Sequence, residues 1–384
     1  MRERCELVLT AAESGATAHF RVRPDRLDAV AQLVADVTRR RYPALAVPPH
    51  SRWRHFGVGG VDRASLVALG ADPAEAARAR LDLAIVSVLL DAGAGPVWQF
   101  REAETGLILA RSEGLAVASL RAMQQGLFSA ARGNPWRADA TALAAITPAS
   151  LGAAFQHGAD NELAGLDGRA ALLRRLGAVV ADAPTVFGRE GRLGRLYDHW
   201  LPQRAALPAP TILHDLLRGF GAIWPGRNEL RGVPLGDCWR HGAVLGDGFV
   251  PLHKLSQWLA YSLIEPLIEA GFAVTEIDGL TGLAEYRNGG LFIDGGVLVP
   301  RDPELARIAL DPASEAVVEW RALTVALLDR LLPLVRADLG LDAAMFPLAS
   351  MLEGGSWAAG RELAFANRAD GSPPLTIASD GTLF

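Results

Sequence analysis

The segment from His253 to Phe272, HKLSQWLAYSLIEPLIEAGF, sets the strongest condition on the fold. At about 100° per residue, Lys254, Gln257, Trp258, Tyr261 and Glu265 fall on one helical stripe. Leu255, Leu259, Leu263 and Pro266 line the adjoining face, and Ile264, Leu267 and Ile268 cover much of the rest. A helix apolar on most sides has to be buried, so the chain must surround it with other elements. Pro266 removes a backbone donor and clashes one turn back, which predicts a bend near Ser262.

Other periodic segments provide those elements. Arg23–Arg41 reads as an amphipathic helix with Pro24 in its first turn. A polar, glycine-rich loop is expected from Pro48 to Arg63, then a long helix started by Asp72 and Pro73 and closed near Gly93. Val97–Arg111 reads as a hairpin, and Gly114–Val180 as alanine- and leucine-rich helices broken by Pro135, Pro148 and Gly158. Another helix follows Pro210. GLFIDGGVLVP, Gly290–Pro300, reads as a two-strand ribbon turned at Asp294-Gly295-Gly296. Ser314–Leu339 is a largely apolar helix with Trp320 in the core, bent or broken by Pro333, and PPLTIASDGTLF is a terminal strand and turn. The expected fold is mostly α with short β-hairpins (α+β). It forms a single compact unit over residues 1–384, or two intimately packed lobes at about 1–200 and 201–384.

Composition narrows the function. The chain has 384 residues, 50% hydrophobic and 21% charged, so long disordered stretches are not expected. A net charge of −5 argues against nucleic-acid and anionic-membrane partners, which need a basic surface. Cys5 and Cys238 are too few and too separated for a disulfide framework or a thiolate zinc site. No signal pattern opens the chain, and its longest apolar candidate for a membrane span, Leu83–Leu90, stops at Asp91. A cytoplasmic location is expected. The eight histidines show no H-E-x-x-H, and neither a G-x-S-x-G elbow nor a P-loop occurs, so neither metal nor cofactor is expected.

Of 38 basic residues only Lys254 is lysine; the other 37 are arginine. A lysine retained against that bias is a candidate for a position that needs a compact ammonium, which the planar, permanently charged guanidinium cannot replace; the alternative is a chance survivor whose stem snorkels and whose head sits in water. On a mostly buried helix it also needs a carboxylate partner. DGLTGLAEYRNGG, Asp278–Gly290, offers Asp278, Glu285, Tyr286 and Arg287 between glycines that let a ligand approach closely. Ile277–Gly282 also has the rhythm of a helix-hairpin-helix turn. SRWRHFGVGG, Ser51–Gly60, contributes His55 and Phe56 as stacking groups. DAGAG, Asp91–Gly95, lacks the dinucleotide pattern; it reads as a glycine helix stop or as a loop presenting Asp91 to a ligand.

HKLSQWLAYSLIEPL, DGLTGLAEYRNGGLFIDGGVL, SVLLDAGAGPVW, RSEGLAVASL and the terminal SDGTLF resemble the uracil catabolism protein four family, whose fungal members are called uracil-regulated protein three. The likeness implies a cofactor-free uracil breakdown route, with release of urea from a ribosylurea as this family's step. A more distant likeness is to the queuosine salvage glycosidases, which have a fold akin to helix-hairpin-helix DNA glycosylases. Their aromatic-Lys-x-x-Gln helix matches Lys254 and Gln257, with His253 at the aromatic position. Their acidic-Tyr-Arg triplet matches Glu285, Tyr286 and Arg287, with glutamate in place of aspartate.

The reading is therefore an N-ribosyl hydrolase acting on ribosylurea or its 5′-phosphate, a small nucleoside-derived substrate. Glu285 stabilises the oxocarbenium ion and takes a proton from water, and Lys254 binds the leaving urea. His55, Phe56, Asp91, Gln257, Trp258, Asp278, Tyr286 and Arg287 are the expected substrate contacts. Alternatives are a glycosidase for another nucleoside or a damaged base, and a non-catalytic binder of a pyrimidine intermediate. The geometry expected is a Glu285 carboxylate within about 4 Å of the Lys254 ammonium, or across one ligand from it, with the His55–Phe56 loop closing the same pocket. The sequence leaves the oligomeric state open.

Overall fold

The longest helix, Glu315–Leu339, is buried almost continuously from Ala316 to Leu328 and runs unbroken through Pro333. That corrects the expected break: proline costs one backbone bond, and buried Leu331, Leu332, Val335 and Leu339 keep the turns on either side of Pro333 packed. In this computed structural model, residues 1–67, 70, 72–224 and 228–378 are described, so the terminal SDGTLF lies outside them. The described chain is mostly helical, with short two-stranded sheets. It divides into two units, each assembled from separate stretches of sequence.

The first unit comprises Met1–His50, Asp237–Lys254 and Ile277–Ala378. Around Glu315–Leu339 pack the helices Arg2–Glu13, Leu27–Arg41 and Tyr286–Asp294, and Trp357–Asn367 lies on Tyr286–Asp294. Phe20–Val22 pairs antiparallel with Leu298–Pro300, and Cys238–Arg240 with Phe249–Pro251. The sequence ribbon at Gly290–Pro300 is therefore wrong in its first half. Tyr286–Asp294 is a helix, and Leu298–Pro300 pairs with a strand far away in sequence. Glu285 caps the first turn of that helix and Leu291 and Phe292 bury its apolar face. Gly289 lets Trp320 approach: a Cβ there would stand 2.7 Å from the indole Cε2.

The second unit contains Ser51–Gly236 and Leu255–Glu276. Its core helix, Pro73–Leu89, is capped by Asp72, which accepts from the N–H groups of Ala74 and Glu75. The segment expected as a plain loop holds a short helix, Arg52–Phe56, because Ser51 Oγ accepts from Trp53 N–H at 3.1 Å and starts a turn. The lysine helix spans Lys254–Glu269, with Pro266 inside it. Pro266 leaves the Ser262 carbonyl without its helical donor, and the Trp53 indole N–H supplies one at 3.0 Å. Glu102 lies fully buried between Arg63 and Arg121. No helix among the described residues is long and apolar enough to cross a membrane.

Candidate functional site

Lys254 is the last residue of the Asp237–Lys254 segment and the first of its helix. Its position is fixed by Asp237, whose Oδ2 accepts from the Lys254 backbone N–H at 2.9 Å. The Asp237 carbonyl accepts from Leu252 and His253 N–H, each at 3.0 Å. Asp237 also takes both forks of the Arg321 guanidinium at 2.7 Å and the Trp239 indole N–H at 2.7 Å. Burial, the largest effect, would raise the Asp237 pKa. The Arg321 charge and the hydrogen bonds outweigh it and hold this carboxyl well below the usual range.

Arg321 reaches the other half of the site as well. Its Nε donates to the Ala284 carbonyl at 3.2 Å, one residue before Glu285. One buried ion pair thus braces the backbone at both expected catalytic residues. Glu285 is 9% exposed and Lys254 8%. The Glu285 carboxylate accepts from the N–H groups of Arg287 at 2.7 Å and Asn288 at 2.5 Å, as the N-cap of its helix. Burial raises its pKa most; those two N–H bonds and the Lys254 and Arg287 charges act against the rise, and the net direction is upward. A buried carboxyl with a raised pKa is a candidate for proton transfer.

The remaining expected contacts belong to one unit or the other. In the first unit, the Arg287 guanidinium lies over the Tyr286 ring, 5.0 Å from its centroid, and donates to the Gly371 carbonyl at 3.0 Å. Asp278 accepts from Leu348 N–H at 2.7 Å and Arg336 at 2.8 Å, which gives it a structural task. In the second unit, Gln257 and Phe56 are fully buried, Phe56 edge-on to Trp53. The His55 ring stands 5.8 Å from Trp258, and Asp91 Oδ1 is 3.1 Å from Arg52 Nη1.

Sequence reasoning missed Asp237, Arg321 and Arg52, and gave His253 no role of its own. His253 adopts a left-handed φ of 45°, a strained conformation for a non-glycine residue. Its Nδ1 is buried without a hydrogen-bond partner among the described residues. Burial lowers its pKa, so the imidazole is neutral at pH 7. Also missed was the π-helical turn Leu352–Ser356, a rare form frequent at functional sites. Its buried Glu353 meets His50 Nδ1 at 2.8 Å and Tyr42 Oη at 3.0 Å, and Ser356 Oγ donates to Asn288 Oδ1 at 2.8 Å. The one signal for it was the pair Gly354-Gly355, which lets Thr38 pack against the turn.

The whole chain, residues 1–384, matches the model of a family described as "Protein of unknown function (DUF1688)". The chain belongs to this family. Among its relatives, this DUF1688 protein is 40% identical over 397 residues to "Protein urg3" of Schizosaccharomyces pombe, covering 100% of this chain and 96% of that one. It is 38% identical over 407 residues to "Uracil catabolism protein 4" of Lachancea kluyveri, covering 95% and 92%. The similarity spans both units, so the resemblance noted in short motifs holds over nearly the full length.

Proposed function

We propose that this DUF1688 protein acts in uracil catabolism as a cytoplasmic N-ribosyl hydrolase that releases urea from ribosylurea or its 5′-phosphate. The relative named for uracil catabolism, similar over nearly its whole length, supports the pathway. The observation that carries the chemistry is the Asp237–Arg321 brace, which ties the backbone of the only lysine to that of a buried carboxyl with a raised pKa.

In the proposed reaction, water adds to C1′ as the C1′–N bond breaks. Glu285 faces the positive charge that develops on the ribose and receives the water proton. The Lys254 ammonium hydrogen-bonds the urea nitrogen as negative charge builds there and gives it a proton, so that neutral urea leaves; the proton taken by Glu285 is released to solvent and Lys254 is reprotonated from it. The backbone N–H groups of Arg287 and Asn288 hold the Glu285 carboxyl in one orientation, which removes a reorganisation cost from the step. A helix-hairpin-helix glycosylase-like core, with its hairpin rhythm at Ile277–Gly282, belongs to the same proposal.

A second reading is a non-catalytic binder of a pyrimidine intermediate. It is favoured by the Glu285 cap, since both carboxylate oxygens already accept from backbone. Incubation of the full chain with ribosylurea, its 5′-phosphate and a panel of nucleosides, with urea and free base as readouts, separates the two. Urea release supports the hydrolase, whereas tight binding without bond cleavage supports the binder.

A further inference from the structure

In the second unit, Arg52 is fully buried yet has a donor left over. Its Nε donates to Ser87 Oγ at 2.7 Å, and its Nη1 donates to the Ser112 carbonyl at 3.0 Å. Nη1 also stands 3.1 Å from Asp91 Oδ1 and 3.1 Å from His55 Nδ1. Its Nη2 is buried with no hydrogen-bond partner among the described residues. A charged donor left unmade inside a protein is costly and calls for an acceptor. A guanidinium only donates, so His55 Nδ1 accepts and the ring proton sits on Nε2. The ring of Trp258 lies beside His55, its centroid 5.8 Å away.

The loop carrying Asp91 is prebuilt. Arg169, also fully buried, donates to the carbonyls of Leu90, Ala92 and Gly93, the residues around Asp91, with the last two at 2.8 and 2.7 Å. Charges of both signs stand here: Arg52 and Arg169 act on Asp91, and Glu113 acts on Arg52. An anionic ligand would meet Asp91, and a cationic one would meet two arginines.

We infer that Arg52 and Asp91 read a neutral amide edge, the O=C–NH pattern of a ureido or carboxamide group. Arg52 Nη2 donates to the carbonyl oxygen, the Asp91 carboxylate accepts from the N–H, and Trp258 flanks the planar group. The geometry stands within the second unit alone. The choice of a ureido ligand over any other amide rests on the N-ribosyl hydrolase reading.

The test uses the full-length protein and propylurea, with 1-pentanol as a control of similar length that lacks the amide edge. Titration calorimetry is expected to show propylurea binding that weakens by about 10-fold or more in Arg52→Lys and in Asp91→Asn, with pentanol unaffected. A crystal soaked with propylurea is expected to place its oxygen on Arg52 Nη2, a readout that needs no variant. A buried water on Nη2 with propylurea absent, or equal losses for propylurea and pentanol, overturns the inference. Propylurea bound at Arg52 without any urea release from ribosylurea leaves this inference standing and removes the hydrolase reading instead.

Discussion

Asp237 and Arg321 meet fork to fork, with two hydrogen bonds of 2.7 Å each, although 84 residues separate them in sequence. The pair is buried, and each partner holds a second backbone group: Asp237 the Lys254 N–H, Arg321 the Ala284 carbonyl. Removing one partner leaves an uncompensated charge and frees both backbone segments at once.

Asp237→Asn is therefore expected to destabilise the chain by about 3–5 kcal/mol, since an amide of the same shape leaves the Arg321 charge buried and unpaired. Urea denaturation with both fluorescence and circular dichroism as probes measures this. A loss below about 1 kcal/mol would place the pair among weak surface bridges and contradict its role as a brace.

Glu285 titrates above its ordinary value of 4.5, chiefly because it is buried. The folded state then binds this proton more tightly than the unfolded chain. The group's stabilising contribution is full below 4.5 and declines as pH rises through the folded pKa. Activity that needs the carboxylate follows the opposite course, falling on acidification with a midpoint above 4.5. A kcat profile that stays flat down to that pH would show that Glu285 ionisation does not govern the reaction.

Glu102 behaves in the reverse sense. Burial, the largest effect, would raise its pKa, but bonds from Arg63 at 2.5 Å, Arg121 at 2.5 Å and Thr105 at 2.6 Å lower it to about 2. Its contribution to stability is present above the unfolded value of 4.5 and is lost as pH falls toward about 2. Glu102→Gln is expected to cost about 3–5 kcal/mol at pH 7 and to flatten the acid limb of the stability curve, as followed by denaturant midpoints from neutral to acid pH.

Gly355→Val tests the π-helical turn. A Cβ at this position would stand 2.5 Å from both Thr38 Oγ1 and the Val34 carbonyl oxygen, and that backbone atom cannot turn aside. Overpacking of this kind is expected to cost about 1–3 kcal/mol. A thermal melt unchanged within error would mean the turn relaxes freely.

The long helices were legible because apolar spacing and caps agree: Asp72 and Pro73 start a helix whose residues 81 and 83–89 are buried. The Glu285-capped helix was not, because glutamate is not a usual N-cap and GLFIDGG mimics a strand and turn. Lys254 stood out as the only lysine, and Glu285 through its glycine-rich setting and the family resemblance. Asp237 and Arg321 did not. With 37 arginines in the chain, no spacing tells Arg52 or Arg321, buried in tertiary contacts, from an arginine in water.

In the proposed reaction Lys254 and Glu285 act together on an N-ribosidic bond. Urea release from ribosylurea by the full-length protein, compared among the natural chain, Lys254→Arg and Glu285→Gln, tests it most directly. Each substitution is expected to lower kcat by about 10²–10³, with the melting temperature shifted by only a few degrees. Undiminished turnover in Lys254→Arg, or no urea from the natural chain at any pH between about 5 and 9, would contradict it.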